Sequence, residues 1–119
     1  MKIKTIDIIA REWFDRVNGN SYFSAQITLN YGMKDATLIK VPFQYGYGTH
    51  YETVCKSTLI KKGYLKPVSV PHKDSIFKQE IPNSLMRISW DCMKHNIILR
   101  SSKVENCLKV DVKRFGGVS

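Results

Sequence analysis

The sequence predicts an α+β domain, an antiparallel sheet of about five strands in the order β-β-β-α-α-β-β with the helices packed on one face. Three observations carry this expectation. Apolar residues recur at every second position through most of the first 44 residues, with turn-forming residues between the runs. Helical spacing takes over at Thr49, and the strand-helix-strand alternation of a parallel sheet does not occur. With 119 residues, 43% of them apolar, the chain has material for one modest core. Residues 1–119 are therefore read as a single domain, with a hairpin-rich half at 1–48, a helical and C-terminal strand half at 49–115, and a loose tail at 116–119.

The first strand is expected over Lys2–Arg16, with Ile6, Ile8, Ala10 and Phe14 on one face, shared by Lys4, and Ile3, Ile9 and Trp13 on the other. Asn18-Gly19 readily takes the positive φ values of a tight hairpin turn. Ser21–Tyr31 should then return antiparallel, with Phe23, Ala25, Ile27 and Leu29 facing the core and Tyr22, Ser24, Gln26 and Thr28 facing solvent or a partner. A turn over Tyr31–Asp35 leads to a third strand at Ala36–Gln44, in which Thr37, Ile39, Val41 and Phe43 alternate with Leu38 and Lys40. Pro42 has no amide hydrogen to give to a ladder, so this strand is an edge or carries a bulge there.

Thr49 and Glu52 fit a capping box, and Tyr51, Val54, Cys55, Thr58 and Leu59 share one face of a helix over His50–Lys62, closed by Gly63. Tyr64–Asn83 holds three prolines and reads as a long connection with a short strand around Val68–Val70. A second helix is expected over Ser84–His95, capped by Asn83 or Ser84. Its stripe is Leu85, Ile88, Ser89, Cys92 and Met93, widened by Met86 and Trp90, and Asn96 stops it. Ile97–Ser102 and Cys107–Phe115 look like a final strand pair, Leu108, Val110 and Val112 alternating with Lys109, Asp111 and Lys113.

The formal charge of +9 points to anionic partners and excludes a mimic of DNA. It is unevenly placed, +1 over residues 1–54 and +8 over 55–119. The amino terminus lacks the unbroken apolar stretch of an export signal, and no apolar run approaches the length of a membrane span, so the expected location is the cytoplasm. Cys55, Cys92 and Cys107 are odd in number and widely spaced, which fits reduced, buried thiols. Cys92-x-x-His95 is half of a zinc pattern without a second pair, and Asp7, Glu12 and Asp15 share no metal-binding spacing. With no complete catalytic motif the chain is read as a non-enzyme, without metal or cofactor.

Two segments remain as candidates for binding. In Tyr45-Gly46-Tyr47-Gly48-Thr49-His50-Tyr51, glycines that allow close backbone approach alternate with tyrosines and end at a helix start, whose amides attract anions. Tyr45, Tyr47 and Tyr51 would stack on or hydrogen-bond a ligand, the Thr49 and His50 amides would hold phosphate, and Lys61 and Lys62 would neutralise charge. The same residues also serve an ordinary strand-to-helix turn, and Lys61-Lys62 suits a helix C-terminus on dipole grounds alone. The second candidate is a stripe for a phosphate backbone made by Lys109, Lys113, Arg114 and Arg100, weakened by Asp111 between the lysines on the same strand face. Arg11, Trp13 and Arg16 form a further cation and aromatic cluster near the first hairpin.

The stretch Arg11-Glu12-Trp13-Phe14-Asp15, the hairpin Gly19-Asn20-Ser21-Tyr22-Phe23-Ser24-Ala25 and the turn Phe43-x-Tyr45-Gly46-Tyr47-Gly48-x-x-Tyr51 resemble small accessory proteins of tailed bacteriophages and prophages. The resemblance covers about residues 1–65. It implies a phage accessory protein of the host cytoplasm, a class whose members often antagonise host defence. The leading expectation is a homo-oligomer that binds and sequesters an anionic signal such as a cyclic nucleotide. The alternatives are a basic protein that binds nucleic acid or a host defence ribonucleoprotein, and an interaction module of the phage particle.

Overall fold

The computed structural model describes residues 1–68 and 83–117. Four strands, β1 (Thr5–Asp15), β2 (Asn20–Leu29), β3 (Thr37–Tyr45) and β4 (Ile98–Val104), make one sheet in the order β3-β2-β1-β4. Among the described residues three helices accompany it, α1 (His50–Lys61), α2 (Ile88–Lys94) and α3 (Lys109–Phe115), with a 3-10 turn at Asn83–Leu85 before α2. The class is α+β, as the segregated hairpins predict. The details differ: among the described residues there are four strands, and the sheet is mixed, because β4 pairs in parallel with β1 while β1–β2 and β2–β3 are antiparallel.

Alternation places Ile6, Ile8 and Ala10 of β1, Phe23, Ala25, Ile27 and Leu29 of β2, and Ile39 and Val41 of β3 on one buried face. Tyr51, Cys55 and Leu59 of α1 and Ile88 and Cys92 of α2 close over it. Phe14, expected on this face, lies exposed near the end of β1. The first hairpin turn is wider than a two-residue Asn-Gly turn. Asp15 pairs with Asn20 across a four-residue loop, its carboxylate accepts the Val17 and Asn18 amides and the Asn18 side chain, and only Gly19 takes a positive φ.

Helix α1 starts as expected, but the capping box does not form. The Thr49 hydroxyl makes no cap bond, and the Glu52 carboxylate is drawn away to Arg87 at 2.7 Å. The second helix is shorter than its pattern, because Asn83 turns from capping to bond the Val68 carbonyl and the buried Asp91 carboxylate. Asn96, with φ of 57°, ends it. The short strand expected around Val68–Val70 falls largely outside the described residues, and Val68 itself is not in a strand.

The largest departure is at Lys109–Phe115, a helix where alternation predicts a strand. A seven-residue run satisfies both periods, and packing decides: Val112 is fully buried while Leu108 and Val110 stay exposed. Helix α3 also lies on the sheet face opposite α1 and α2. Ser24 donates to the Val112 carbonyl and Gln26 to the Phe115 carbonyl, both from the outward face of β2. The helices therefore flank the sheet on both sides. The expected loose tail is seated at its first residue, since Gly116 is buried against β2 and β3.

Candidate functional site

The face beneath α3 carries an aromatic cluster that the strand register assembles. Trp13 and Tyr22 are direct cross-strand partners, with ring centroids 5.6 Å apart. Phe43 joins them because the β2–β3 register shifts between Phe23 and Ala25, beside Pro42. Without that bulge Phe43 would continue the inward alternation of Ile39 and Val41. With it, Phe43 stacks on Tyr22 at 5.2 Å and lies 6.4 Å from Trp13, and Tyr45 meets the edge of Tyr22 at 5.8 Å. Pro42 thus marks both an edge strand and a bulge.

Helix α3 brings cations to these rings. The Lys109 ammonium sits 5.1 Å from the Trp13 centroid and that of Lys113 5.5 Å from Phe43, each within cation–π range. The helical geometry removes the objection that Asp111 raises on a strand. Residues four apart share a helix face, whereas a residue two away points elsewhere. Trp13, Tyr22, Phe43, Lys109, Lys113, Arg114, Lys40 and Asp15 line a solvent-open cleft of about 880 Å³. Four cations face one carboxylate there. Asp15 is held below the usual carboxylate range, first by its bond from the Asn18 side chain and last by the Lys109 charge, so it stays ionised and engaged in the hairpin turn.

The Tyr45–Tyr51 segment has a clear folding role, and its residues Tyr45 to His50 also line a second, open cavity of about 600 Å³. A Cβ on Gly46 would meet the Phe23 ring at 2.6 Å, so glycine is needed for close approach, and Gly48 takes a φ of 61°. Tyr51 is buried against the core, its hydroxyl 2.9 Å from that of Ser101. The His50 amide donates to the Tyr47 carbonyl and its ring meets Phe23 edge-on. Thr49 is exposed, with its carbonyl bonded to the Glu52 amide. Neither Tyr51 nor the His50 amide is free to hold a ligand as expected. Lys61 and Lys62 lie at the far end of α1, roughly 16 Å along the axis from His50, and do not join the turn. Tyr47 is exposed and faces solvent, and Tyr45 is the one member of the segment that reaches the aromatic cluster.

Of the basic stripe, Lys109, Lys113 and Arg114 converge on the cleft. Arg100 does not, since its guanidinium forms a two-point pair with Asp7 at 2.6 and 3.0 Å. The charge-rich second half and the nearly neutral first half do meet, but at Trp13, Tyr22 and Phe43. Tyr22, Phe43 and Lys40 went unnoticed as site residues. The hairpin register that pairs Trp13 with Tyr22, and the bulge signalled by Pro42, were the cues that could have found them.

The remaining chemistry is dispersed. Cys92 is buried, while His95 bonds the Lys66 carbonyl at 2.8 Å, so the Cys92-x-x-His95 pair does not converge. Burial pushes the Cys55 thiol up to about 12 and the Cys92 thiol up to about 11, away from the thiolate a nucleophile requires. Cys107 is only half-buried, unlike the buried thiol expected. Among the described residues no three His, Cys, Asp or Glu side chains gather as a metal site, and no helix is long and apolar enough to cross a membrane. Comparison of the chain with protein-family models, curated proteins and solved structures returns no match.

Proposed function

We propose that this is a non-enzymatic protein that binds a nucleobase-bearing anion in the cleft between α3 and the outward sheet face. The observation that carries the reading is the contact of two α3 lysines with the exposed side of a three-ring cluster, Lys109 over Trp13 and Lys113 over Phe43. Rings offer stacking surface to a base, and the surrounding cations offer neutralisation to its phosphates. The resemblance of residues 1–65 to phage accessory proteins supplies the context, a counter-defence protein of the host cytoplasm that withholds its ligand from the defence system. The ligand site moves from the Tyr45–Tyr51 turn to this cleft, with Tyr45 at its margin.

Trp13 reports directly on occupancy. The chain has two tryptophans, and Trp90→Phe leaves Trp13 as the sole indole emitter. Titration of that variant with ATP, cyclic dinucleotides, cyclic ADP-ribose isomers and short oligonucleotides is expected to give saturable quenching with at least one of them. Lys109→Gln with Lys113→Gln should weaken that response at least tenfold. Silence across the whole panel would remove the reading.

A further inference from the structure

We infer that the occupant of the cleft is an unpaired nucleic-acid strand and not a free nucleotide, an inference that rests on the binding reading above. Four aromatic rings, those of Trp13, Tyr22, Phe43 and Tyr45, lie in one contiguous group that runs from β1 to β3, roughly 10 Å across the sheet and wider than one base. The cations are spread in the same way. Lys109 and Lys113 stand one helical turn apart, about 6 Å along the axis. Lys40 lies on β3, two strands and roughly 10 Å across the sheet from Trp13 on β1. A mononucleotide gathers its phosphates at one point and a cyclic dinucleotide carries only two, so either would leave part of this charge unanswered. A strand, with one phosphate per nucleotide, distributes its charge as the cleft does.

Duplexes are disfavoured by the same geometry. Bases inside a helical stack have no free face for the rings, whereas Trp13 and Phe43, each stacked on Tyr22, are otherwise covered by lysines that a base can displace. Nor is α3 free to enter a groove as a recognition helix. Ser24 and Gln26 hold its backbone to the sheet, and its Lys109–Lys113 side faces the rings.

Fluorescence anisotropy with labelled ten-nucleotide dT and U strands, a hairpin duplex, and a cyclic dinucleotide as competitor tests the inference. At least one of the two strands should bind ten times more tightly than either the duplex or the dinucleotide. The logarithm of its affinity should fall with the logarithm of salt concentration at a slope of roughly −2 to −3, as three to four neutralised phosphates require. Lys109→Gln with Lys113→Gln should weaken strand binding and flatten that slope by about 1.4, roughly 0.7 for each phosphate contact. Tyr22→Leu removes the ring on which Trp13 and Phe43 both rest and should weaken strand binding roughly ten- to hundredfold. Both lysines are exposed, so their variant stays informative should Tyr22→Leu misfold. Lys61→Gln with Lys62→Gln should leave the affinity unchanged, and an equal loss there would overturn the inference by showing binding to charge in general. A dinucleotide or duplex bound as tightly as the strands overturns this inference and leaves the broader reading standing. Absence of binding by every ligand overturns both.

Discussion

Lys56 illustrates how much one side chain can hold. It is buried in α1, donates to the Asn83 and Met86 carbonyls at 2.6 and 2.8 Å, and lies 3.4 Å from Asp91, whose other oxygen accepts from Val68 and Asn83. Removing one member of such a pair strands a charge away from water. Lys56→Ala should cost about 3–5 kcal/mol in urea unfolding, and Lys56→Met combined with Asp91→Leu should recover much of it. Nothing in the sequence marks Lys56 as buried, because an isolated lysine carries no sign of its partner 35 residues on. The inward residues of β1 and β2, by contrast, were legible from alternation alone. At Tyr45–Tyr51 the same residues suited a ligand site and a turn, and the packing of Gly46 on Phe23 favours the turn.

Among the elements, α3 decides whether there is a site. Its docking depends on Gly116, where an added Cβ would meet the Ser24 Cβ and the Val41 carbonyl oxygen at 2.6 Å each, and the latter is sheet backbone with little room to yield. Gly116→Ala should therefore lower stability by about 1–3 kcal/mol and weaken ligand binding at least tenfold, while the α1–α2 side of the core is unaffected. Urea unfolding and the Trp13 titration check the two halves of this expectation. The element itself was illegible as a helix. In the eight residues Leu108–Phe115, Leu108, Val110 and Val112 match period two as well as Lys109 and Lys113 match period four. Only the long-range contacts with Ser24, Gln26 and Arg11 separate the two. Positions that mattered most for the site were visible as residues and wrongly placed in space.

At the scale of the whole molecule, Lys103 joins parts that the chain separates widely. From β4 it bonds Glu12 at the end of β1 at 2.9 Å and the Gly48 carbonyl before α1 at 3.0 Å. Burial works against its charge, but the bond and charge of Glu12, with Glu105 nearby, outweigh it and hold the ammonium pKa above the usual lysine value. A raised pKa in the folded state contributes stability that is complete below the unfolded value and is lost as pH rises through the folded one. Lys103→Met should cost about 2 kcal/mol near neutral pH. The gap from the parent protein should close on the alkaline side of lysine's ordinary range, as thermal melts across pH will show.

The topology also sets an order of events during synthesis. The β1–β3 meander closes through neighbouring segments, but β4 must return to β1 across some 90 residues, and the Ser24–Val112 bond spans 88. Contacts at such separation form late, because the intervening chain must give up its freedom before they are made. The ring cluster and Lys40 can gather on the nascent meander, whereas Lys109, Lys113 and Arg114 arrive only with α3. The positive side of the cleft is thus assembled last, when α3 docks on the finished sheet.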